Sequence, residues 1–109
     1  MTITIVIDYF QLCVINSLMK ELDTIVFEGL KKQTKSIVAI CVELREKLLQ
    51  KAIKMRFKDQ VFKLKLKYYM AEALLNYLVE FDILFNALPG SYNYNTLTMV
   101  KNQLHQKLQ

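Results

Sequence analysis

At 109 residues the chain fits one domain, and with 53% hydrophobic and 23% charged residues it has the composition of a folded protein, not a disordered one. Two glycines and one proline supply too few turns for an all-β sandwich or barrel, so a mainly α (α+β) protein is expected over residues 1–109. The net charge of +5 sits entirely in residues 45–67, where nine bases face two acids, while the segments on either side are each at −1.

Residues 3–7 are rich in β-branched side chains and read as a strand. The apolar run that starts there reaches residue 19 but is cut by Asp8, Gln11 and Asn16. It falls short of the roughly 18 to 20 unbroken apolar residues that span a bilayer. No cationic segment with a small-residue cleavage site precedes it, so a cytoplasmic protein with no membrane partner is expected. Leu12, Ile15, Met19, Leu22 and Val26 recur at three- and four-residue steps and predict a helix from Phe10 to about Val26. Gly29 lies near its end, and residues 28–34 read as a loop. Thr34 is then the expected N-cap of a long helix to about Met55, with Ile37, Cys41, Leu44, Leu48, Ala52 and Met55 as its stripe.

Strict alternation returns at residues 62–67, "FKLKLK", which predicts a second strand. A third helix follows from Tyr69 to about Phe85, burying Met70, Leu74, Leu78 and Phe81. Residues 87–95 read as a turn around Pro89-Gly90, with Asn93 or Asn95 able to cap a last helix from about Thr96. That helix uses Leu97, Val100, Leu104 and Leu108.

The two halves resemble each other at a spacing of 60 residues. Tyr9 and Tyr69, Asn16 and Asn76, Leu18 and Leu78, Leu44 and Leu104, Lys47 and Lys107, and Leu48 and Leu108 are identical pairs. With a one-residue slip before position 9, Ile3, Ile5 and Ile7 fall on Phe62, Leu64 and Leu66. The expected architecture is therefore two strand-helix-helix pseudo-repeats, about 2–58 and 61–109, with four helices and a short two-stranded antiparallel ribbon. A lone ribbon is marginal in water. Val6 makes the first strand apolar on both sides, which predicts a homodimer with Ile3, Ile5, Val6 and Ile7 at its interface.

The basic segment is the main candidate for function. Lys47, Lys51, Lys54 and Lys58 follow one helical edge, and Lys63, Lys65 and Lys67 share one face of the second strand. With Arg56 they form a candidate surface for nucleic acid or an acidic protein. The same lysines also protect an edge strand from aggregation. Tyr68, Tyr69, Tyr92 and Tyr94 are candidate aromatic contacts for a ligand or a base.

Other chemistry is sparse. Ser17, Ser36 and Ser91 stand in no nucleophile motif, and Gly29 and Gly90 are too isolated to cradle a phosphate. Cys13 and Cys41 read as two buried, reduced thiols, and with His105 they do not have the spacing of a zinc site. No catalytic residue, metal or cofactor is expected. The Lys-, Ile- and Asn-rich composition resembles that of AT-rich genomes, the setting of many small phage and mobile-element proteins. The expected function is a non-enzymatic, homo-oligomeric binding or assembly module. Its alternatives are a non-specific nucleic-acid binder using residues 45–67 and a protein that sequesters a small anionic ligand.

Overall fold

Two runs of alternating residues pair into a ribbon. In a computed structural model, which describes residues 1–24, 32–56, 58–85 and 92–109, β1 (Thr2–Ile7) lies antiparallel to β2 (Phe62–Lys67). Ile3 faces Leu66, Ile5 faces Leu64 and Ile7 faces Phe62; Thr2, Thr4 and Val6 face Lys67, Lys65 and Lys63. Directly opposed residues share a face. One face of the ribbon is therefore wholly apolar, and the other is made of Thr, Val and Lys. Ile5 and Leu64, aligned in the sequence, sit opposite each other at the centre. That register belongs to the strand pair alone and does not by itself make the halves a repeat.

The helices are α1 (Tyr9–Leu18), α2 (Lys32–Met55), α3 (Tyr68–Phe85) and α4 (Tyr92–Leu108), so each half runs strand, helix, helix. The core gathers residues from every element: Ile3, Ile5 and Ile7, then Leu12 and Ile15, Cys41, Leu44 and Leu48, Leu64 and Leu66, Met70, Leu74 and Leu78, and Leu97, Val100 and Leu104. Each fully buried Leu or Ile contributes roughly 1.5–3 kcal/mol relative to exposure. The helical stripes and strand faces read from the sequence supply most of this core, which also takes in Val38, Ala71, Ala73 and Tyr77; the side chain of Phe81 lies outside the described residues.

Several boundaries differ from the sequence reading; β1 and α3 each start one residue earlier, at Thr2 and Tyr68. α1 starts one residue earlier because Asp8 caps it: Asp8 Oδ1 accepts from the Gln11 N–H at 2.8 Å, and Gln11 Oε1 accepts from the Asp8 N–H at 2.9 Å. This reciprocal box is written in the sequence as D-x-x-Q. α1 also ends at Leu18 and tightens into a 3-10 turn, Met19–Thr24; residues 25 and 26 lie outside the described residues. α2 starts at Lys32, which puts Thr34 inside its first turn instead of at the N-cap. α4 starts at Tyr92, so residues 92–95 are helical and not part of a turn. Pro89-Gly90 and most of the loop at 28–34 are outside the described residues.

The early end of α1 has a cause far along the chain. The carbonyls of a last helical turn lack partners within the helix. Here the Asn16 carbonyl accepts from Arg45 Nη1 at 2.6 Å, and the Leu18 carbonyl accepts from the Tyr77 hydroxyl at 3.0 Å. Arg45 also donates from Nε and Nη2 to both carboxylate oxygens of Asp23, at 2.8 and 3.0 Å, which ties the 3-10 turn to α2. A guanidinium at a helix C-terminus is further favoured by the helix dipole. The side chain of Arg45 is only 11% exposed and that of Asp23 is 55% exposed. The stabilising part of this cluster is therefore the bond to α1, more than the ion pair.

The Arg45 guanidinium holds the Asp23 carboxyl below its ordinary value. A depressed carboxyl adds stability at neutral pH and loses it as pH falls through its folded pKa. Arg45→Leu should destabilise the fold by about 1–3 kcal/mol at every pH by orphaning the Asn16 carbonyl. Asp23→Asn should cost less, and its gap to the wild type should close as pH drops below the ordinary aspartate range. Urea unfolding of the two variants between neutral and strongly acid pH separates these effects.

Candidate polyanion-binding cleft

The buried face of α2 leaves two exposed sides. One carries Lys47, Lys51 and Lys54 at steps of four and three, directed toward β2. On β2, alternation turns Leu64 and Leu66 into the core and leaves Lys63, Lys65 and Lys67 exposed. Where the two meet there is a cleft of about 420 Å³ lined by Lys47, Gln50, Lys51, Lys54, Lys63, Leu64 and Lys65. That volume is within the range of small-ligand sites, roughly 300–1,000 Å³. Five of its seven lining residues are cations and none is an acid.

Lys51 is held at the mouth by a cation–π contact, its Nζ lying 5.5 Å from the centre of the Phe62 ring. Five ammonium groups around one opening repel each other, by roughly 0.5 kcal/mol per pair at about 8 Å in water. An anion placed among them would relieve that repulsion. Leu64 lines the cleft although its side chain is buried, which identifies the backbone of β2 as part of the floor.

The two edges of the ribbon are treated differently. The Val6 N–H donates to Gln103 Oε1 at 2.8 Å, and Gln103 Nε2 donates to the Val6 carbonyl at 2.8 Å. The primary amide of Gln103, on α4, thus pairs with β1 as a neighbouring strand would. In an antiparallel pair each residue turns both backbone groups either toward its partner or away. Val6 turns them away, and the Tyr68 N–H donates to the Met1 carbonyl at 3.2 Å, which fixes the phase. Lys63, Lys65 and Lys67 therefore point their N–H and C=O groups out from the free side of β2. Among the described residues no hydrogen bond to those groups is present.

Not all the sequence candidates converge here. Lys47, Lys51, Lys54, Lys63 and Lys65 line the cleft; Lys67 does not, and its Nζ sits 5.9 Å from the centre of the Tyr69 ring. Arg56 and Lys58 follow the end of α2, exposed and outside the cleft, with Arg56 close enough to Tyr9 to act on its hydroxyl. Tyr68 and Tyr69 are exposed at the start of α3 but line no part of the cleft. The side chains of Tyr92 and Tyr94 lie outside the described residues. Gln50 and Gln103 were missed, since no spacing in the sequence marks either one.

The expected interface at Ile3, Ile5, Val6 and Ile7 needs correction. Ile3, Ile5 and Ile7 are buried by the chain's own helices, so they have no surface to offer a second copy. Only Val6, 42% exposed, faces outward, in a row with Thr2 and Thr4 beside the lysines. The sequence reading took the first strand as apolar on both sides and looked to a second copy for cover that the chain's own helices give to the Ile3, Ile5 and Ile7 side.

The cysteines also divide. Cys41 is buried, with its thiol 3.5 Å from the Ala73 carbonyl, and burial pushes its pKa up to about 12; Cys13 is only half-buried. Among the described residues no group of three or more His, Cys, Asp or Glu could hold a metal ion. No helix among them is long and apolar enough to cross a membrane. No protein-family model, curated protein or solved structure matches the chain.

Proposed function

We propose that this chain is a non-enzymatic binding module whose α2–β2 cleft takes an anionic macromolecule. The observation that carries this reading is the convergence of lysines from two elements on one cleft. Edge protection accounts for lysines on β2 but gives no reason for Lys47, Lys51 and Lys54 to line the same opening from α2. Binding of this kind is electrostatic and salt-dependent.

The test uses labelled oligothymidylate as a generic polyanion, followed by anisotropy across a salt series. Log K should fall with log salt by about 0.7 for each lysine engaged. Changing Lys47, Lys51 and Lys54 together to Gln should weaken binding at low salt and reduce that slope by about 2. An unchanged affinity and slope would refute the cleft reading.

A second reading, a homodimer, rests on the other exposed side of α2. Val42, Leu49 and Ile53 are 40%, 41% and 66% exposed and follow steps of seven and four residues along one stripe. Set antiparallel to itself, this stripe places Val42 of one copy opposite Ile53 of the other. In that arrangement the helix dipoles oppose. Light scattering should give a dimer mass for the wild type and a monomer mass for Ile53→Glu. A wild-type monomer at high protein concentration would sink this reading.

A further inference from the structure

We infer that the partner taken by the cleft is an acidic peptide segment in extended form, which adds to β2 as a third strand. This rests on the anionic-partner reading and narrows it to one class of macromolecule.

Three observations point the same way. The first is the pattern of the floor: Lys63 and Lys65 present outward N–H donors and C=O acceptors in alternation along an open edge. A phosphodiester chain brings acceptors for the donors and nothing for the carbonyls. A peptide backbone satisfies both, which is how strand addition gains its affinity. The second is the opposite edge, where the Gln103 amide already occupies the equivalent groups of Val6 with one donor and one acceptor. On that edge Val6 is held from within the chain, whereas among the described residues no hydrogen bond reaches the outward groups of Lys63 and Lys65 over the cleft.

The third is charge. A strand laid beside β2 has side chains alternating between two faces. One set would reach Lys47, Lys51 and Lys54 on α2, and the other would lie beside Lys63 and Lys65. Carboxylates suit both sets. A second copy of β2 would bring its own lysines against these and be repelled, so the same residues that admit an acidic strand turn away self-pairing.

The experiment compares three labelled probes on the full chain by anisotropy at low salt: acetylated, amidated octaglutamate; the same peptide with every backbone nitrogen methylated; and oligothymidylate. Strand addition predicts that octaglutamate binds, that Lys63 and Lys65 changed to Gln weaken it, and that methylation weakens it about tenfold or more through lost hydrogen bonds. Equal binding of the two peptides would overturn strand addition and leave a purely electrostatic cleft. Binding of oligothymidylate with neither peptide bound would overturn the peptide assignment and keep the anionic reading. Failure of all three probes would overturn both. The methylated peptide leaves the protein untouched, so the comparison that decides strand addition does not depend on a variant that fails to fold.

Discussion

A two-stranded ribbon has too little of its own to stay folded in water, and the rest of this molecule is arranged around that shortage. β1 and β2 together offer an apolar face, a polar face and two edges, each needing an answer. The apolar face, Ile3, Ile5 and Ile7 against Leu66, Leu64 and Phe62, is roofed by the helices and becomes the centre of the core. The edge of β1 is taken at Val6 by the amide of Gln103. The edge of β2 carries lysines and, among the described residues, no hydrogen-bonding partner, and the candidate cleft lies beside it.

The helices need holding as well, and they are held by polar groups that bridge distant segments. Arg45 and Tyr77 take the last carbonyls of α1, while Asn16 donates from Nδ2 to the Leu48 carbonyl at 3.3 Å. Asn16 Oδ1 is buried and has no partner among the described residues. These contacts fix α1 against α2 and α3, and α2 in turn carries Lys47, Lys51 and Lys54 to the open side of β2. The candidate cleft therefore depends on a cluster at the far side of α2 that lines no part of it.

Much of this architecture was legible in residue order, because period two and period 3.6 are local signals. The β-branched run at 3–7 and the alternation at 62–67 placed both strands, and the period of two placed Ile3, Ile5 and Ile7, and Phe62, Leu64 and Leu66, each on one side of its strand. The stripes of α2, α3 and α4 named the core residues. The end of α1 was not legible, since residues 19–24 are compatible with a helix and what stops it comes from Arg45 and Tyr77, 29 and 59 residues away from the carbonyls they take. The start of α4 was hidden by Asn and Tyr residues that also read as turn formers. The lysines of the cleft were each visible, but that Lys47 and Lys65 line one opening depends on how α2 lies beside β2. Gln103 takes the backbone of Val6, 97 residues away, a contact no periodicity announces.

The central claim is that Gln103 holds the edge of β1 at Val6 while the edge of β2 is open at Lys63 and Lys65. Residue-resolved amide hydrogen exchange on the free protein reads this directly. The Val6 N–H, held by Gln103, should exchange slowly, as should the Leu64 and Leu66 N–H groups between the strands, while those of Lys63 and Lys65 should exchange at close to unprotected rates. Strong protection at Lys63 and Lys65, or rapid exchange at Val6, would contradict the account.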